Sequence, residues 1–189
     1  MTGEHHHDRD DESQDHADEH DQHQDDDHHA HDASAVAVAV LTVSSSRTLD
    51  EDPAGDVVAA ACEGEGHDVV GRQLVDDDRD AIVEAVAAAI DEDDADVVVT
   101  AGGTGLTPDD VTVEALRPLF DRQVPGFGEL FRWLSYEEVG PMAMASRATA
   151  GVVDEHLVFC LPGSENAART GAERLVAPAV GHLLGLVRR

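Results

Sequence analysis

The residues of this chain best placed to do chemistry are Asp110 and one of the pair Asp77 and Asp78. Asp110 closes the stretch "VVVTAGGTGLTPDD", in which a β-branched run ends in Gly102, Gly103 and Gly105. Asp77 and Asp78 stand in "LVDDDRDAI", just past another apolar run. Glycines after a buried strand let backbone N–H groups point at an oxyanion, so such a loop can cradle phosphate. A P-loop would need a lysine after its last glycine, and the chain has none: all 12 of its basic residues are arginine. The G-x-G-x-x-G spacing of a dinucleotide site is missing as well. Carboxylates from two neighbouring loops offer another source of positive charge. They can share a Mg²⁺ ion with the phosphates of a nucleoside triphosphate, and the metal then does the work of the missing lysine. The plainer role for Asp77, Asp78 and Asp109 is to complement helix dipoles from the first turn. Convergence of two loops on one crevice is what lifts the pair above that role.

The elements that would position these residues follow from hydrophobic periodicity. Strands are expected over Ala35–Val43, His67–Val75 and Ala95–Gly103. Helices are expected over Pro53–Gly66, Asp77–Asp94 and Asp109–Leu119, with Pro53 suited to a first helical turn. Phe127–Tyr136 reads as helix, 148–163 as two short strands around a turn, and Glu165–Val187 as a closing helix. This alternation implies an α/β fold of three layers, a mostly parallel open sheet with helices on both faces. Ligands of such sheets bind beyond the carboxyl ends of the strands. Two further loops collect there. One is serine-rich, with Ser44, Ser45, Ser46 and Arg47; the other is "LPGSENA", with Pro162, Gly163 and Ser164 ahead of a helix start. Arg47, Arg147 and Arg169 stand near the loops and can either clamp phosphate or pair with local acids.

Composition narrows the partners. The chain has 41 acidic residues against 12 basic, a formal net charge of −29. Such a surface repels nucleic acid and anionic membrane. No apolar run is long enough to span a bilayer and no signal peptide is visible, so a soluble, cytoplasmic protein is expected. Abundant acids without lysine resemble the proteins of extreme halophiles, a statement about milieu and not about chemistry. Cys62 and Cys160 both fall in apolar contexts and read as buried small hydrophobes. Residues 1–33 hold 13 of the acids and nine of the 12 histidines, with almost nothing apolar. They read as a disordered acidic tail whose histidine clusters can hold zinc, nickel or copper loosely, and 34–189 as the folded domain. Five of the six aromatic residues lie between Phe120 and Tyr136, suited to helix core, to a subunit interface or to a wall of the site.

Three segments together resemble the MoaB/MogA family of molybdenum cofactor biosynthesis proteins: "TAGGTGLTPDDVTVEAL", "PLFDRQVPGFGELFRWLSYEEVGPMAMASRATAGV" and "LVFCLPGSENAART". The resemblance runs from about Ala35 to the C-terminus and is nearer the MoaB branch. It implies a molybdopterin adenylyltransferase that converts ATP and molybdopterin into adenylylated molybdopterin and pyrophosphate, with Mg²⁺ as cofactor. The alternative is a protein of the same pathway that binds the pterin without catalysis. By the family pattern the functional aspartates fall on Asp77 and Asp110, which would also hold the metal. Thr100, Gly102, Gly103, Thr104 and Gly105 match the phosphate- and pterin-cradling loop, Ser44 to Ser46 the first loop, and Pro162 to Ser164 a second phosphate loop. Asp76 stands where many relatives have proline, which leaves both Asp77 and Asp78 as the operative acid. Ala54 stands where relatives often have serine. The resemblance also implies a homotrimer or hexamer, and it does not extend to the His/Asp-rich tail.

Overall fold

The computed structural model describes residues 35–92 and 94–189. The expected tail over 1–33 lies outside the described residues. Six strands form one sheet in the order β2-β1-β3-β6-β5-β4: β1 (Ala37–Val43), β2 (Asp68–Val75), β3 (Val97–Ala101), β4 (Arg122–Gln123), β5 (Thr149–Val153) and β6 (His156–Leu161). β2, β1, β3 and β6 run parallel; β5 and β4 add an antiparallel edge. The helices are α1 (Pro53–Gly64), α2 (Arg79–Asp91), α3 (Thr112–Leu116), α4 (Pro125–Val139), α5 (Glu165–Gly171) and α6 (Ala177–Val187).

The continuous apolar reading of β1 has a direct cause, since both of its faces are covered. Val36, Val38 and Val40 pack with Val97, Val99, Leu157 and Phe159 beneath α1, α4 and α6. Ala39, Leu41 and Val43 turn the other way, with Val98, Val158 and Cys160, beneath α2 and α3. This is the two-residue period of a strand set between two helical layers, and it confirms the expected three-layer α/β class. Most of the buried apolar residues are valine or alanine. Both thiols sit within this interior. Burial, with the nearby Glu63 carboxylate, pushes Cys62 up to about 11. Burial likewise pushes Cys160 up to about 12. Both therefore stay protonated at neutral pH and act as small hydrophobes.

Local chemistry sets the helix ends. Asp52 caps α1, its Oδ1 accepting from Gly55 N at 3.0 Å, and Pro53 occupies the first turn where its missing N–H costs nothing. Asp78 caps α2 by accepting from Asp80 N and Ala81 N at 3.0 and 3.1 Å. The helix expected over Asp109–Leu119 is shorter than its pattern. Asp110 N is drawn into a turn onto Thr107 O, α3 starts only at Thr112, and a tight turn over Arg117–Leu119 ends it at Pro118. The closing helix is interrupted by a wide π-turn over Ala172–Val176, immediately before Pro178, whose ring nitrogen cannot donate to the preceding turn. The aromatic helix divides its rings between the core and the surface. Phe127 and Phe131 are buried, Phe127 lying edge-on to Phe159 at 5.1 Å, whereas Trp133 and Tyr136 are 61% and 59% exposed. No helix among the described residues is long and apolar enough to cross a membrane.

Candidate active site

Because β2, β1, β3 and β6 are parallel and in register, their carboxyl ends open on one rim. Val43 lies beside Val75, Thr42 beside Ala101, and Ala101 beside Leu161. The first bonds past the strands continue this stitching: Ser44 N donates to Val75 O and Gly102 N to Leu161 O, each at 2.9 Å. Four loops thus leave the sheet side by side. Those after β1, β3 and β6 enclose a cleft of about 410 Å³ lined by Ser44, Arg47, the 102–105 loop, Asp110 and Pro162 to Ser164.

The glycines are needed for their backbone. Gly102 has φ +128°, and a Cβ there would stand 2.2 Å from Val43 O; Gly103 has φ +64°, and a Cβ would stand 2.2 Å from the Thr112 hydroxyl. That hydroxyl donates to Gly102 O at 2.8 Å while Thr112 N donates to Gly103 O at 3.0 Å, so the start of α3 fastens the loop. Thr104 is 1% exposed, lines the cleft, and its buried Oγ1 has no hydrogen-bond partner among the described residues.

Asp110 borders the same cleft. Burial raises its carboxyl, but the Thr107 hydroxyl, the backbone N–H groups of Gly105 and Thr107, and the Arg147 charge together hold it below the ordinary carboxylate range. The Thr107 hydroxyl and N–H donate to its Oδ2 at 2.6 and 2.8 Å. Such a carboxylate is ionised across neutral pH. Arg147 braces the loop from behind: Nε donates to Gly105 O at 2.6 Å, Nη2 to Asp110 O at 2.8 Å, and Nη1 pairs with Glu114. That pairing is the main reason Glu114 also stays below its ordinary range. Arg147 is therefore a brace. Arg169 is occupied too, by Glu165 and Glu173 on its own helix. Arg47 is the basic side chain that lines the cleft, and its Nη2 reaches across to Gly163 O at 3.0 Å.

Asp77 sits one loop further out. Its Oδ2 accepts from Ser45 N at 2.8 Å and its own N–H donates to Ser45 Oγ at 3.1 Å, a reciprocal clasp between the first two loops. The two aspartates thus belong to one rim but to loops on either side of the serine loop that follows β1; Asp110 lines the cleft, whereas Asp77, Ser45 and Ser46 do not, and Asp77 is tied to the serine loop through Ser45. Asp78 is engaged in capping α2, so the two acids left open by the sequence have separate duties. Ser46 folds back on Ser44, with Ser46 N 3.4 Å from Ser44 Oγ. Thr100 departs from the expected phosphate loop. It is fully buried within β3 and its hydroxyl donates to Phe159 O at 3.3 Å, because the strand continues through Ala101 before the loop begins.

Asp52, Thr107 and Glu114 matter to this rim and were not singled out from the sequence. Asp52 is 2% exposed and accepts from Thr42 Oγ1 at 2.7 Å and from Arg72 at 3.3 Å, tying the end of β1 to β2 and α1. An Asp-Pro pair at a helix start was the available signal for it, and a threonine three residues ahead of Asp110 was that for Thr107. A divalent cation is compatible with this donor set. Among the described residues no three or more His, Cys, Asp or Glu gather, so an ion here would be shared between hard carboxylate oxygens and the phosphates of a ligand.

Comparison with known proteins agrees with the geometry. The profile of the probable molybdopterin binding domain matches residues 39–182. The chain is 48% identical over 141 residues to molybdenum cofactor biosynthesis protein B of Escherichia coli K12, covering 75% of this chain and 83% of the relative. It is 38% identical over 151 residues to the protein of that name from Bacillus subtilis, covering 79% and 89%. Among solved structures, a molybdenum cofactor biosynthesis protein B superposes with a TM-score of 0.79 at 40% identity, covering 82% of this chain and 97% of that one. The tungsten cofactor synthesizing protein MoaB of Pyrococcus furiosus gives 0.75 at 40% identity, covering 83% and 99%. The domain profile over 39–182, together with relatives and structures matched over 83–99% of their length, places this chain, with its glycine, serine and aspartate loops at the carboxyl rim of the sheet, in the MoaB/MogA family of molybdenum cofactor biosynthesis proteins.

Proposed function

We propose that the cleft is the site of a molybdopterin adenylyltransferase, which uses ATP to adenylylate molybdopterin and releases pyrophosphate. The observation that carries this reading is a glycine-lined cleft bordered both by the ionised Asp110 and by Thr104, whose hydroxyl has no partner among the described residues. A hydroxyl donor and backbone amides can meet phosphate oxygens, and the carboxylate can meet a cation that accompanies them. Asp77 and Asp110 would hold Mg²⁺ together with the triphosphate, and the metal would neutralise charge on it when bound. The chain's own residues do the rest. Gly102, Gly103 and Gly105 allow the close approach of a phosphate, Ser44 and Ser164 supply hydroxyls, and Arg47 faces the leaving pyrophosphate. An oxygen of the pterin phosphate attacks the α-phosphorus, one P–O bond forms as another breaks, and the electron pair departs with pyrophosphate. Catalysis here is alignment and charge stabilisation without a covalent enzyme intermediate.

The test is pyrophosphate release from full-length protein given molybdopterin, ATP and Mg²⁺ in high salt. Asp110→Asn keeps an acceptor for Thr107 and removes the charge, so release should fall by orders of magnitude while pterin binding survives. Pterin binding without any release from folded wild-type protein would leave the non-catalytic binding role in its place. The same reading includes a homo-oligomer, trimer or hexamer, formed through the exposed apolar residues Leu130, Trp133, Val139, Met142 and Met144. It also treats the histidine-rich segment 1–33 as a loose transition-metal binder apart from catalysis. Deleting that segment should remove zinc or nickel binding and leave pyrophosphate release intact.

A further inference from the structure

A second and larger depression, of about 840 Å³, lies behind the site between α3, β4, the start of α4 and the 146–149 segment. Four of the chain's 12 basic residues border it: Arg79, Arg117, Arg132 and Arg147. Glu114 and Glu129 border it too, which leaves an excess of two positive charges in a chain whose net charge is −29. With 41 acidic residues available, carboxylate partners are abundant, yet only Arg147 of the four forms an ion pair among the described residues. Arg117 donates to the neutral Gln123 side chain and Arg132 to Ala148 O at 3.1 Å; the Arg79 guanidinium makes no hydrogen bond among the described residues, although its charge acts on Glu114 across the groove. Each guanidinium carries five N–H donors, so most of those around the groove are uncommitted.

The groove is also built in its backbone. A Cβ at Gly128 would stand 3.0 Å from both terminal nitrogens of Arg132 and 2.5 Å from Ala148 O, so glycine there is what lets this guanidinium lie across the first turn of α4. That turn has no side-chain cap, and it adds the positive end of a 15-residue helix to the groove wall.

We propose that this groove is a second anion site, taking a small molecule that bears phosphate or diphosphate with at least two negative charges. It is independent of the nucleotide reading of the glycine cleft. Uncommitted arginine donors converging on one concavity, in a protein otherwise covered in carboxylates, are what such a ligand requires. Inorganic pyrophosphate is the probe, titrated calorimetrically into full-length protein at one fixed salt concentration. Arg47→Gln weakens the glycine cleft and should leave pyrophosphate binding in the groove. Adding Arg79→Gln and Arg117→Gln to that variant should raise Kd by about tenfold for each arginine lost. Both side chains are exposed and neither supports the core, and circular dichroism with a thermal melt would show the fold intact. The proposal is overturned if the Arg47 variant binds no pyrophosphate, or if the combined variant binds it as tightly as the Arg47 variant does. A change in sedimentation on losing Arg79 and Arg117, with pyrophosphate affinity unmoved, would overturn it in favour of an acidic segment of a second copy.

Discussion

Replacing Thr104 by valine should make the empty protein more stable and a poorer binder of nucleotide at the same time. The side chain is 1% exposed and its hydroxyl has no partner among the described residues, so it is a desolvated polar atom without an internal hydrogen bond there. Leaving such a group unpaired costs about 1–3 kcal/mol, and valine has nearly the same shape without it. A gain of about 1 kcal/mol in a domain of this size moves Tm up by about 2–4 °C. On the ligand side, one lost hydrogen bond of about 0.5–1.5 kcal/mol weakens binding roughly 2- to 12-fold. Differential scanning calorimetry of the ligand-free protein and calorimetric titration with ATP and Mg²⁺ read the two effects separately. A valine variant that melts lower than wild type, or one that binds ATP equally well, would refute the idea that this hydroxyl is held for a ligand.

Gly102→Ala should destabilise the fold by about 1–3 kcal/mol and abolish cleft binding, because its Cβ meets Val43 O at 2.2 Å from a positive φ; denaturant melts check the first and ATP titration the second. Asp110 has its carboxyl depressed in the folded state, so its contribution to stability is present above the unfolded value of about 3.9 and is lost as pH falls through the lower folded value. Thr107→Val removes one of the hydrogen bonds that depress it, and carbon-13 titration should then find the Asp110 carboxyl shifted upward. Asp78→Ala should lower stability by about 1 kcal/mol through the lost cap with turnover kept, whereas Asp77→Asn should spare stability and lower turnover; paired melts and pyrophosphate assays separate the two. Trp133→Asp should leave the melting temperature of isolated subunits unchanged, since the ring is 61% exposed, and shift sedimentation toward smaller species.

The fold was legible wherever a local pattern and its burial agreed. β1 reads as a two-sided strand and is one; α2 shows its stripe at Ile82, Val86 and Ala89 and buries those residues. β4, with two residues, is too short to have a period, and it exists only because β5 offers an edge to Arg122 and Gln123. The π-turn at Ala172–Val176 is hidden because helical spacing continues through it, and only Pro178 hints at the interruption. At the site, glycine, serine and aspartate loops are readable because each follows its strand directly. Arg147 was visible as a nearby cation but not as a brace, since it reaches Gly105 from 42 residues away and no local spacing encodes that bond. Asp52 was hidden for the same reason, its partners Thr42 and Arg72 lying on two separate strands.

The predominance of valine and alanine in the interior also bears on how a chain with so much like charge can afford to close up. Alanine has no torsional freedom to surrender when it is enclosed, and the branched carbon of valine leaves it little. The order imposed on this interior therefore takes less away from the unfolded ensemble than an equal number of leucines and methionines would. What is saved there is available to oppose the mutual repulsion of a surface covered in carboxylates.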